Sequence, residues 1–117
     1  MDSKEVNNAL IAEFMGLRFH KIGWVDVCHI DGNYECEKLK YHTSWDWLIP
    51  VVEKIEQQGC IIEIWLSLGK GCRIQKPITQ GESYQAVMES NSTIEAVWLT
   101  VIEYITWYNS TKQQTNR

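Results

Sequence analysis

Proline is nearly absent from this chain. Two prolines and seven glycines in 117 residues leave no room for a long disordered linker. Clustered basic charge is missing too. The eleven lysines and arginines, set against fifteen acids for a net charge of −4, never stand side by side, so the phosphate contacts that drive DNA or RNA binding have no obvious source. No nucleic-acid partner is expected. Long apolar runs are lacking, and residues 1–16 do not follow the charge-then-apolar order of a secretion signal, so neither a membrane nor export is expected. The default expectation is the cytosol. Catalytic and metal signatures are absent as well. The chain has no G-x-S-x-G, no phosphate-loop spacing, no H-E-x-x-H and no C-x-x-C, so no metal and no cofactor is expected.

The anomaly is an excess of indole. Six tryptophans are many for one small chain, and each large aromatic ring can bury roughly 150–250 Å². Core filling is the plain explanation of most of them; rings left exposed on one face would mark a recognition surface. The four cysteines, Cys28, Cys36, Cys60 and Cys72, read as reduced strand residues in a cytosolic protein. Cys28 and Cys36 flank an expected turn and are the one pair placed to meet across strands.

Periodicity predicts three helices and four or five strands. Ser3 opens a helix over 3–15 whose apolar face is Val6, Leu10, Ile11, Phe14 and Met15, with Gly16 at its end. Strands over 24–30 and 33–39 flank Asp31-Gly32, a two-residue hairpin signal. A helix over 46–58 carries Leu48, Val51, Val52 and Ile55 at i, i+3, i+4 and i+7, and Gly59 stops it. Cys60–Leu68 alternates as a strand, Gly69-Lys70-Gly71 turns the chain, and Cys72–Gln75 returns, with Pro77 ending or bending it and residues 82–88 as a short edge. Ser92-Thr93-Ile94-Glu95 has the form of a capping box before the stripe Ile94, Val97, Trp98, Val101, Ile102 and Ile105. The order α-ββ-α-ββ(β)-α predicts an α+β fold with a small, mainly antiparallel sheet covered by helices. It also predicts one domain over 1–109 and a frayed tail over 110–117.

The stretch YHTSWDW (41–47) concentrates chemistry just before the second helix. Ser44 or Asp46 serves as N-cap, and Asp46 also sets a negative charge at the positive end of the helix dipole. Pro50 belongs in or just after the first turn, where a missing N–H costs little. Tyr41, His42, Thr43 and Trp45 are left unexplained by helix initiation. A Ser-His-Asp triad is a poor fit, because His42 and Ser44 stand two residues apart while triad members converge from separate segments. The alternatives are a packing joint and a pocket in which the N–H groups of 43–47 hold an anion while Trp45 or Tyr41 stacks on a planar ring, with Arg73 or Lys70 adding positive charge.

The segments IAEFMG (11–16), LKYHTSWDWLIPVVEKIE (39–56) and STIEAVWLTVIEYITWYN (92–109) resemble a group of small phage and prophage proteins, the phage ABA-sandwich domain. The resemblance covers somewhat under half of the chain. It implies an α/β/α sandwich and a phage setting, and no catalytic residues, since members are mostly uncharacterised. It raises the expectation of a non-enzymatic binding or accessory protein, with a counter-defence role that sequesters a host protein or a nucleotide-like signal through Tyr41, His42, Thr43, Ser44, Trp45 and Arg73. Two rivals stand beside it. One is a small hydrolase or nucleotide-processing enzyme using His42 with a distant carboxylate. The other is a structural module that oligomerises through Trp107 and Tyr108 on the last helix.

Overall fold

The structure, a computed structural model, describes residues 3–17, 19–22, 25–29, 33–35, 39–67, 69–79 and 81–115, of which 19–22, 25–29, 33–35, 79 and 112–115 are described as backbone only. The element order is α1 (Ser3–Phe14), β1 (Phe19–Ile22), β2 (Val25–His29), β3 (Asn33–Glu35), α2 (Trp45–Gln57), β4 (Ile61–Trp65), β5 (Lys70–Thr79), β6 (Glu82–Ser90) and α3 (Thr93–Thr115). The fold is α+β with three helices, and all described strand pairings are antiparallel. The strands form two sheets of three, β1-β2-β3 and β4-β5-β6.

This differs from the expected single sheet of four or five strands in the order α-ββ-α-ββ(β)-α. The added strand is β1, whose four residues offer too little alternation to stand out from a connection. Pairing of His29 with Asn33 starts one residue earlier than a two-residue Asp31-Gly32 turn requires; Asp31 and Gly32 themselves lie outside the described residues. The same register sets Cys28 opposite Tyr34, while Cys36, its expected partner, is outside the described residues. β5 runs through Pro77 to Thr79 with a register shift between Pro77 and Thr79, as proline's missing N–H demands. The segment expected to fray, 110–117, is helical as far as Thr115.

α3 lies across β5 and β6, and α1 and α2 pack on α3. Period-two alternation sets the two faces of this sheet. Ile62, Ile74 and Ala86 form one cross-strand row and Ile64, Cys72 and Met88 the next, with Cys72 and Ile74 fully buried. From α3, Val97, Val101, Tyr104 and Ile105 complete the core, Leu48, Val51 and Ile55 enter from α2, and Ile11 and Ala12 from α1. Burying each such aliphatic side chain contributes about 1.5–3 kcal/mol. The buried face of α1 is rotated from the expected stripe: Asn8 is buried, and Val6 stays half exposed.

Helix ends follow the chemistry of their residues. Gly16, at φ 87°, closes α1, with Gly16 N–H donating to Glu13 O and Leu17 N–H to Ala12 O, the paired bonds of a Schellman end. At α3 the Glu95 N–H donates to Ser92 Oγ at 3.5 Å, the first half of the expected capping box. Lys54 of α2 reaches the carbonyl of Phe14 and lies 4.8 Å above the Phe14 ring, so its charge sits at the negative end of α1.

Candidate functional site

The loop 39–44 and the start of α2 meet α1 and α3 at one polar joint. Asn8 is 1% exposed, and both N–H donors and the oxygen of its side chain are engaged. Oδ1 accepts from Trp98 Nε1 at 2.9 Å. Nδ2 donates to the carbonyl of Leu39 at 3.1 Å and lies 2.9 Å from Nδ1 of His42. An indole N–H can only donate, so the carbonyl end of the Asn8 amide must face Trp98 and its NH₂ must face His42. His42 Nδ1 is therefore an acceptor, and a neutral imidazole carries its proton on Nε2.

That tautomer is the reverse of the one a triad needs. A general-base histidine keeps the proton on Nδ1 and offers the Nε2 lone pair to the nucleophile. Ser44 is likewise committed: it is the N-cap residue by position, with extended backbone at φ −127° and ψ 121°, although its hydroxyl makes no capping bond. Its carbonyl accepts from the N–H groups of Trp47 at 3.2 Å and Leu48 at 3.0 Å.

The other expected site residues separate. Tyr41 is buried, edge-on to Trp47 with centroids 5.2 Å apart and planes at 89°. Thr43 is exposed, and Trp45 is 39% exposed as the first residue of α2. Arg73 is on β5 and forms an ion pair with Glu63 on β4. By alternation it faces away from Cys72, Ile74 and the helices, so the sheet lies between it and α3, and nothing joins it to the 41–45 loop. Both partners of that pair are well exposed, which makes it worth little. On the same face Trp65 covers Gly71 so closely that a Cβ there would lie 2.3 Å from the ring.

Beside the polar joint a mostly apolar depression of about 330 Å³ is lined by Met15, Leu17, Tyr41, Asp46, Trp47 and Pro50. Among the described residues Asp46 is its one charged wall. Pro50 was expected in or just after the first turn; α2 begins at Trp45, so Pro50 sits inside the helix. There it has no N–H to give to the carbonyl of Asp46, four residues earlier, and that carbonyl loses its helical donor. Asp46 itself brings a carboxylate to the depression.

Sequence reasoning missed Asn8, Trp98, Met15 and Leu17. Asn8 left a signal: a polar residue at i−3 and i−4 from buried Ile11 and Ala12. Trp107 and Tyr108 already have partners within the chain, Trp107 stacked on Tyr84 at 4.2 Å and Tyr108 edge-on to Phe14 at 5.6 Å. Burial pushes the Cys72 thiol up to about 11, partly offset by a hydrogen bond from Thr100, which keeps it protonated and a poor nucleophile at neutral pH. Among the described residues no three His, Cys, Asp or Glu side chains are placed to hold a metal ion, and no helix is long and apolar enough to cross a membrane.

Compared with protein-family models, with curated proteins and with solved structures, the chain finds no match.

Proposed function

We propose that this is a small non-enzymatic binding or accessory protein of the phage and prophage kind that its signature segments resemble, acting in the host cytosol by occupying a host protein at the depression beside α2. The observation that carries this reading is the composition of that depression: an apolar and aromatic surface whose one charge among the described residues is Asp46. Such a surface suits an anchor side chain from a protein. It opposes a nucleotide-like signal, because a phosphate brought to the start of α2 would meet the Asp46 carboxylate before it gained from the helix dipole. The Nε2–H tautomer of His42 weighs against the enzymatic alternative. The α/β/α sandwich implied by the resemblance belongs to the same proposal, supported by the stacking of α3 on β4-β5-β6.

Affinity capture from host-cell lysate with identification by mass spectrometry tests the reading. Pro50→Lys is the control, since Pro50 is exposed and lysine restores the helical N–H while its side chain occupies the depression. One identified host protein should be enriched by the natural chain and lost with Pro50→Lys. Equal enrichment by both chains overturns the reading. So does a melting temperature that climbs with nucleotide concentration, or turnover abolished by His42→Ala.

A further inference from the structure

From the outward face of α2 we infer the chemical class of the partner: a basic, amphipathic protein segment that sets a lysine or arginine into the depression and lays apolar residues along the helix. The inference rests on the binding reading above and goes further by naming what is recognised. At 100° per residue, Trp45, Ile49, Glu53 and Glu56 fall on one stripe of α2, with Asp46 and Pro50 alongside. All six are exposed. Trp45 at 39% and Ile49 at 41% are large apolar groups that the described residues leave partly open, one turn apart.

Charge selects among occupants of this face. It carries Asp46, Glu53 and Glu56, and among the described residues no ion pair reaches any of them; the one pair present is Arg73 with Glu63. The basic residue of α2, Lys54, is turned away to Phe14. The face is therefore acidic, with no compensating ion pair among the described residues. A second copy of the chain would bring like charge to like charge, and an anionic ligand would be repelled outright. The depression itself repeats the preference at short range, since its one charge among the described residues is Asp46. A carboxylate in an aromatic-lined depression matches the several N–H donors of a guanidinium or ammonium, which is also attracted to aromatic rings.

Synthetic amphipathic helical peptides test this. One has a leucine and tryptophan face flanked by lysine and arginine; a second has the same apolar face flanked by glutamine; a third is flanked by glutamate. Binding is followed by amide chemical shifts of the labelled natural chain and of the Glu53→Lys/Glu56→Lys variant, whose substitutions lie on exposed positions. The basic peptide should bind the natural chain, shift the amides of 45–50, weaken as salt is raised, and lose about tenfold or more in affinity against the variant. The glutamate peptide should gain against the variant. Equal binding of the basic and glutamine peptides at 45–50 sinks the charge inference and leaves the binding reading standing. If no peptide shifts residues 45–50, the surface itself is misassigned and both fail.

Discussion

The Asn8 amide and the His42 ring meet 2.9 Å apart, and the contact joins α1 to the loop that starts α2. With Trp98 on the other end of the same amide, one buried side chain ties together three segments far apart in the chain.

Replacing that side chain should be costly. Asn8→Ala strands the Trp98 N–H and the Leu39 carbonyl in the interior, and each unsatisfied buried group costs about 1–3 kcal/mol. A loss on the order of 3 kcal/mol is expected, read as a lower urea midpoint with an unchanged slope. Stability within about 0.5 kcal/mol of the natural chain, the usual range of an inert surface change, would show that the joint is not what holds these segments.

The tautomer of His42 is open to direct observation. Two-bond nitrogen–proton correlation spectra at neutral pH should show His42 protonated at Nε2 and bare at Nδ1. The same spectrum on Asn8→Ala should drift toward a mixture, as the donor that selects the tautomer is gone. A proton found on Nδ1 in the natural chain would reverse the Asn8 assignment and reopen a catalytic role.

Gly71 lies against the Trp65 ring on the β4-β5-β6 sheet. A Cβ there meets the Trp65 ring at 2.3 Å, so Gly71→Ala forces the indole off the strand. Overpacking of this kind costs about 1–3 kcal/mol. Trp65→Leu should relieve most of that cost, which a double-mutant cycle measures as a coupling between the two sites. Additive effects would place the ring elsewhere.

Alkali should weaken the fold through Cys72. Its folded pKa is raised from 9.0 to about 11, so the folded state holds its proton more tightly than the unfolded state does. The associated stability is fully present below about pH 9 and is lost as pH rises toward 11. Burial moves the Tyr84 and Tyr104 hydroxyls in the same direction, and their contribution fades at higher pH. Cys72→Ala should flatten the decline between pH 9 and 11 in urea midpoints taken across that range. An unchanged profile would assign the decline to the tyrosines alone.

Much of the architecture was legible because it depends on local periodicity. Leu48, Val51 and Ile55 are buried at the spacing that predicted α2. Ser92 receives the Glu95 N–H as the capping motif required, and Gly16 and Gly59 end their helices at positive φ. Such features are set by residues within one or two turns, so a linear reading reaches them. The grouping of strands into two sheets was not legible, because pairing partners are chosen by burial across the whole chain.

The same division runs through YHTSWDW. By itself the sequence determined that a helix starts there, with Ser44 or Asp46 at its cap, since those preferences belong to the residues and their neighbours. Only the tertiary structure decided what the remaining groups do. Tyr41 is drawn in against Trp47, His42 is held by Asn8 from a helix 34 residues earlier, Trp45 is left facing outward, and Arg73 is taken by Glu63 on the far side of a sheet. The physical reason is that a side chain's role is set by which partner satisfies it, and these partners are brought within reach only when the helices close on the sheet.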